Sequence, residues 1–247
     1  MKSKGFILYE GPSVLDGAPI VVIAIVESKN AKTGRMIQTL IMRSDIDPVA
    51  ASQSGDDGAV CGACVHRHFL GGACYVNLGQ APLSVWRAYK RGVYVDATAR
   101  QAGALAQIAG RALRAGTYGD PAAVPFEVWQ YALDEIKPRV KTGYTHQARH
   151  PNFDQRILGL CMASADTPKQ AEKLQAMGAR TFRVKTEGAE FLAGEIECLA
   201  DSKGVQCIDC GLCDGKGKAP NIAINVHGSR AGRYTAKYEN KNIIARV

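Results

Sequence analysis

Three cysteines, Cys61, Cys64 and Cys74, fall within 14 residues in the run C-G-A-C-V-H-R-H-F-L-G-G-A-C, with His66 and His68 between them. A cysteine that only fills a core needs neither this spacing nor flanking glycines, so the pattern points to thiolate ligation of a metal. A second set lies near the other end. Cys207, Cys210 and Cys213 form C-x2-C-x2-C, and Cys198 sits nine residues upstream. Four thiolates close a tetrahedral zinc site or a four-iron cluster, whereas three leave a position for water, histidine or substrate. Thiolate–metal bonds of about 2.3 Å put the sulfurs around one ion within about 4 Å of each other. Each set is therefore expected to converge. The eighth cysteine, Cys161, lies in the apolar run L-G-L-C-M-A and fits a buried small hydrophobe.

The chain that must position these groups has 247 residues, typical of one α/β barrel, and is expected to be a single domain over 1–247. With 46% hydrophobic and 22% charged residues, a sizeable core is available and global disorder is excluded. No apolar run approaches the roughly 20 residues that span a bilayer, and the N-terminus has no h-region of a signal peptide. Closely spaced cysteines then indicate metal ligation in a reducing cytosol, not a disulfide framework. The net charge of +8 favours a polyanionic partner or an anionic cofactor, and nucleic acid stays open.

Strands are expected at Phe6–Tyr9, Pro19–Val26 and Gln38–Arg43, with Asp47-Pro48 opening a short helix. Beyond the first cysteines, strand and helix alternate. The expected strands are Cys74–Leu78, Ala112–Ala115, Gly143–Gln147, Leu158–Ser164, Arg180–Lys185 and Asn221–Val226. The expected helices are Pro82–Gly92, alanine-rich Thr98–Ala109, Ala122–Ile136 and Lys169–Met177, the last capped by Asp166-Thr167-Pro168. This alternation predicts an α/β fold with a complete or partial parallel β/α barrel, since no G-x-G-x-x-G opens a helix as in a doubly wound sheet. Residues 197–219 form a cysteine-rich insertion expected to be pinned by its own metal.

In such folds chemistry gathers where strands give way to the following loops. The polar residues there are Asn77, Arg114, Gly119-Asp120, His146, Ser164 with Asp166, Arg183 with Lys185, and Asn225 with His227. Arg114, Asp120, His146 and Arg183 are the candidate catalytic groups. Arg183 is favoured over Lys185 as the one pointing inward, where its fork would hold a carboxylate or phosphate. Together with the first cysteine set, these strand-end residues are expected to open into one pocket.

The chain resembles a family of bacteriophage and prophage proteins of the gene-product-eighty-eight type. The resemblance rests on K-T-G-R-M-I-Q-T, V-C-G-A-C-V-H-R, A-C-Y-V-N-L-G-Q-A-P, L-R-A-G-T-Y-G-D-P-A-A, G-Y-T-H-Q, M-A-S-A-D-T, T-F-R-V and the late C-x2-C-G-L-C. It implies a phage origin. A weaker resemblance is to radical S-adenosylmethionine enzymes, partial β/α barrels in which three cysteines after the first strands hold a four-iron cluster. It implies that Cys61, Cys64 and Cys74 hold such a cluster, with Asn77, Gly79, Gln80, Gly119 and Ser164 toward the cofactor. Cys198, Cys207, Cys210 and Cys213 would hold an auxiliary cluster. The family pattern is C-x3-C-x2-C, however, and here it is C-x2-C-x9-C, with no Gly-Gly-Glu after the third cysteine.

Two functions follow. One is an iron–sulfur enzyme of this kind in the host cytosol, acting on a small molecule or nucleotide. The other is a zinc-binding nucleic-acid module without catalysis, in which His66 or His68 completes the first site.

Overall fold

The computed structural model describes residues 3–215 and 217–243. Ten strands are present: β1 (Gly5–Pro12), β2 (Pro19–Ile25), β3 (Ile37–Arg43), β4 (Val95–Asp96), β5 (Leu113–Tyr118), β6 (Lys141–Thr145), β7 (Met162–Ala165), β8 (Thr181–Lys185), β9 (Glu195–Glu197) and β10 (Asn221–Asn225). They form one sheet in the order β4-β1-β2-β3-β5-β6-β7-β8-β10-β9. The pairs β1–β2 and β2–β3 are antiparallel, and every other pairing is parallel. The central strand β2 is buried from Ile20 to Ala24 without alternation, as a strand covered on both faces requires.

From β3 through β5, β6, β7 and β8 the parallel strands follow chain order, so right-handed crossovers between them fall on one face; the order reverses only at the far edge, where β10 lies between β8 and β9. The core agrees. Leu113 and Ala115 share a cluster with Val128, Trp129 and Ala132 of helix α4 (Phe126–Ile136). Ala163 and Ala165 share one with Ala171 and Leu174 of α5 (Pro168–Ala176). Pairing of Ala115 with Gly143 and of Thr145 with Ala163 puts these strand residues on a common face. The opposite face carries Gln38, Arg114, Tyr144, Ser164 and Phe182.

The remaining helices are α1 (Pro48–Ser54), α2 (Gly58–Cys61), α3 (Ala81–Lys90), α6 (Leu199–Ser202), α7 (Cys207–Cys210) and α8 (Ala231–Ile243). Asp47 caps α1 by accepting from the N–H groups of Val49 and Ala50, and Thr167 caps α5 at Gln170. Among the described residues no helix is long and apolar enough to cross a membrane.

Several expectations need correction. The sheet is open, with β4 and β9 as its edges, because the β1–β2–β3 meander extends it instead of closing it. A complete barrel is not formed. Residues Cys74–Leu78 lie in no strand, having no ladder partner. The alanine-rich Thr98–Ala109 is a series of tight turns with one 3-10 turn at Ala106–Ile108. Its helical propensity is overridden by left-handed backbone at Arg100 (φ 51°) and Gly103 (φ 78°). The helix expected from Ala122 begins at Phe126, after a 3-10 turn at Pro121–Ala123. Leu158 likewise sits in a 3-10 turn, Gln155–Gly159, and the strand starts at Met162.

Candidate metal centres and the cavity beside them

Cys61 ends α2, and the chain then doubles back to bring Cys74 toward it. The Cys74 N–H donates to the His66 carbonyl (2.9 Å), and the Cys64 N–H to that of Cys61 (3.2 Å). His68 donates from Nε2 to the Cys74 carbonyl at 3.0 Å. Gly72 lets this turn close, because a Cβ there would run into the His66 backbone. Three side chains fix the loop from outside. Arg67 donates to Asp57 at 2.7 and 2.9 Å and to the carbonyls of Gly55 and Gly62. Gln147 donates to the Cys61 carbonyl at 2.9 Å and accepts from the Ala63 N–H at 3.1 Å. The Asp120 N–H donates to the Val60 carbonyl, while its carboxylate accepts from the His146 N–H at 2.8 Å. Val60, His146 and Asp166 tie this loop to the C-terminal ends of β5, β6 and β7. Burial pushes the Cys61 thiol well up, and the charges of Cys64, Asp57 and Cys74 push it further. Burial also raises Cys74, against the Arg230 guanidinium among others. A metal taken up here must displace those protons.

Beside Cys64 lie two histidines and an aspartate. His66 Nε2 is 2.6 Å and His146 Nε2 is 3.8 Å from Asp166 Oδ1. Burial acts to raise the Asp166 carboxyl, but hydrogen bonds from His146 and His66 outweigh it and hold the group well below the carboxylate range. The His66 ring stacks on Tyr234 of α8 with centroids 5.6 Å apart. Among the described residues, these three form the group whose ligand atoms all lie within 4.8 Å of one another. Neither cysteine set closes to that distance, which corrects the expected single-ion spacing.

The second cysteine loop lies at the other end of the strands. The N–H groups of Cys207 and Ile208 donate to the carbonyls of Lys32 and Thr33, just before β3. Arg180, which precedes β8, is buried and clamps the loop. It donates to the carbonyls of Leu212 (2.7 Å), Gly215 (3.0 Å) and Pro220 (2.6 Å) and to Asp214 (2.6 Å). The four thiols act on one another electrostatically, and burial pushes Cys213 up to about 12 although the Tyr144 hydroxyl donates to it. Arg114, predicted to be catalytic, projects from the open face toward Cys207, Tyr144 and Tyr75. It donates to the Tyr75 hydroxyl at 3.1 Å, and its buried Nε has no partner. A guanidinium that cannot deprotonate and whose Nε is buried without a partner calls for an anion nearby. Four thiolates around either a zinc ion or a four-iron cluster carry a net negative charge, so this donor set fits such a group.

Cys74 forms part of the wall of a cavity of about 820 Å³, together with Asn77 and Gly79. The other predicted residues do not join them. Gln80 is exposed at the start of α3, outside the cavity lining. Gly119, left-handed at φ 78°, packs against Ile41 because no Cβ would fit there. Asp120 and Ser164 support the loop and the open face, respectively. Arg183 is a clear correction: at 1% exposure it donates to Glu195 at 2.8 and 2.6 Å, on the helix-covered face. Lys185, two residues on, shares that face and is buried over the Phe191 ring. His227 is exposed, its Nε2 3.3 Å from Lys32 Nζ. Cys161 is buried against Gly143. Sequence reasoning missed Arg230 and Arg233, which line the cavity; two arginines three apart, directly after a strand and Gly228, were the available signal. No family model, curated protein or solved structure matches the chain.

Proposed function

We propose that this is a phage-derived iron–sulfur enzyme of the radical S-adenosylmethionine kind, built on a partial β/α barrel and active on a small molecule or nucleotide. One observation carries the reading: Cys74 belongs to a three-thiol set at the C-terminal strand ends and also lines a cavity large enough for a ligand. Three protein ligands leave an open coordination position, the mark of a centre that meets substrate. The run β3, β5, β6, β7, β8 of parallel neighbours in chain order suits a partial barrel. Sulfurs bound to different irons stand farther apart than around one ion, and both sets are wider than single-ion spacing. The departure from the family spacing is absorbed by the Gly72 turn, which returns Cys74 to Cys61 and Cys64. When bound, the cluster and cofactor would supply the radical chemistry. The chain's own part is to hold them, through Cys61, Cys64 and Cys74 with Asn77 and Gly79 nearby, and to shape the cavity.

The test is protein purified without oxygen, examined by ultraviolet–visible spectroscopy and metal analysis and titrated with S-adenosylmethionine. About eight irons and saturable binding are expected. Colourless protein carrying zinc would refute the reading.

A second reading, a zinc protein binding nucleic acid without catalysis, is favoured by one observation. Among the described residues, His66, His146 and Asp166 form the group that reaches single-ion spacing, and the net charge of +8 suits a polyanion. Zinc lost on replacing Asp166 with asparagine, in colourless protein, is its signature.

A further inference from the structure

The cavity beside Cys74 has a composition that its metal chemistry does not explain. Arg230, just before α8, and Arg233, in its first turn, line it with Ser229 next to them. Arg233 is exposed and Arg230 half-buried, so neither is spent on a buried ion pair as Arg183 is. Two large aromatics on the same walls, Phe69 and Tyr75, are 53% and 56% exposed. One side of Phe69 rests on Gly55, leaving the rest of the ring to the cavity. Guanidinium forks match phosphate oxygens and exposed rings offer a stacking surface for a base. The helix N-terminus adds its positive end to the same place. S-adenosylmethionine offers a carboxylate and an adenine but no phosphate, so a titration can set it against a nucleotide.

We propose that this cavity takes a nucleotide, its phosphate held by Arg230 and Arg233 and its base laid against Phe69 and Tyr75. That the nucleotide is a substrate rests on the enzyme reading above. That it binds does not.

The experiment is calorimetric titration of the full-length protein, purified without oxygen, with AMP, adenosine, inorganic phosphate and S-adenosylmethionine. Metal content is measured on the same samples. AMP should bind about tenfold or more tightly than adenosine, the scale of one charge-assisted hydrogen bond. Inorganic phosphate should compete with AMP, which separates recognition of the phosphate from recognition of the whole nucleotide. R230Q and R233Q should each erase the preference for AMP, and R233K should keep most of it. R139Q, which removes an arginine from a separate surface hollow, should change nothing. Arg233 is exposed, so its variants keep the fold, checked by an unchanged melting curve. Equal binding of AMP and adenosine, no binding of either, or AMP affinity unmoved in R230Q and R233Q would overturn the proposal. Zinc-containing protein that still selects AMP through these arginines would remove the iron–sulfur reading alone. Iron-loaded protein that binds S-adenosylmethionine but ignores AMP would remove the phosphate site alone.

Discussion

The two cysteine loops are held by similar devices at opposite ends of the same parallel strands, yet they face different surroundings. Each is tied by one arginine, half-buried Arg67 in the first and buried Arg180 in the second, that donates to loop carbonyls and to one aspartate. The first loop sits at the C-terminal strand ends and opens on a cavity. Residues 207–220 of the second sit at the N-terminal ends, against Arg114 and Tyr144, while Cys198 directly follows β9. In parallel β/α sheets the former position serves chemistry and the latter serves stability. On the proposed function, the first loop would then be the working centre and the second the bracing one.

Cysteine replacement should divide them most sharply. Cys210→Ser is expected to remove one centre's share of metal and to lower the melting temperature, because metal ligation orders the loop it closes. Cys74→Ser should remove the other share and abolish S-adenosylmethionine binding while leaving the melting temperature nearly unchanged. Metal analysis and thermal melts of both variants decide this. Equal loss of stability in the two would end the distinction.

The arginine clamps come next. Arg67→Ala leaves Asp57 buried without a partner and should cost about 3–5 kcal/mol in denaturant unfolding. Arg180→Ala should cost less, about 2–4 kcal/mol, because its partner Asp214 is partly exposed and the freed carbonyls can take up water. A larger loss for Arg180 would mean that the second loop, not the first, carries the tighter polar network.

These clamps also show what a sequence conceals. The Asp47 and Thr167 caps and the apolar strands β2, β3 and β10 were legible, because each signal is carried by neighbours in the chain. Arg183 was not. Its charge suggested an anion contact, but its partner Glu195 is twelve residues away on a different strand, and only the folded sheet brings them together. Arg180 was overlooked for the same reason, since its acceptors are more than thirty residues further on. The Cys74–Leu78 run looked like a strand from its side chains, yet a strand needs a ladder partner that local pattern cannot supply. Arg230 and Arg233 went unnoticed because a polar helix such as α8 gives little hydrophobic periodicity.

Two glycines test the loops with a smaller change. A methyl at Gly72 meets the His66 backbone, so Gly72→Ala should cost about 1–3 kcal/mol and weaken metal retention in the first loop. Gly211, left-handed at φ 66°, has open space, with Val140 no closer than 3.8 Å. Gly211→Ala should cost only about 1 kcal/mol, the strain of the backbone alone. Denaturant titration with metal analysis distinguishes the two, and equal costs would mean that the first turn can shift to make room.

Acid should give the smallest and most selective separation. The first loop is fastened through the Asp166 carboxylate, which meets His66 and His146, whereas three of the four groups that Arg180 holds in the second loop are backbone carbonyls. Asp166 is held well below its ordinary range in the folded protein, the hydrogen bonds of the two histidines exceeding the effect of burial. Its stabilisation is therefore complete above the unfolded carboxyl value of about 3.9 and is lost as pH falls from there through the lower folded value. His146 is shifted upward, against burial, by Cys64 and Asp166. Its contribution is complete below about 6.5 and fades as pH rises through the folded value. Between these limits both ties hold. Hydrogen exchange in the range below about pH 4 should then show amides of residues 62–74 losing protection before those of 207–213. Asp166→Asn should flatten that acid dependence in the first loop and leave the second untouched. Simultaneous loss in both loops would mean that acid acts on the whole sheet, and that the histidine–aspartate group does not govern the first loop separately.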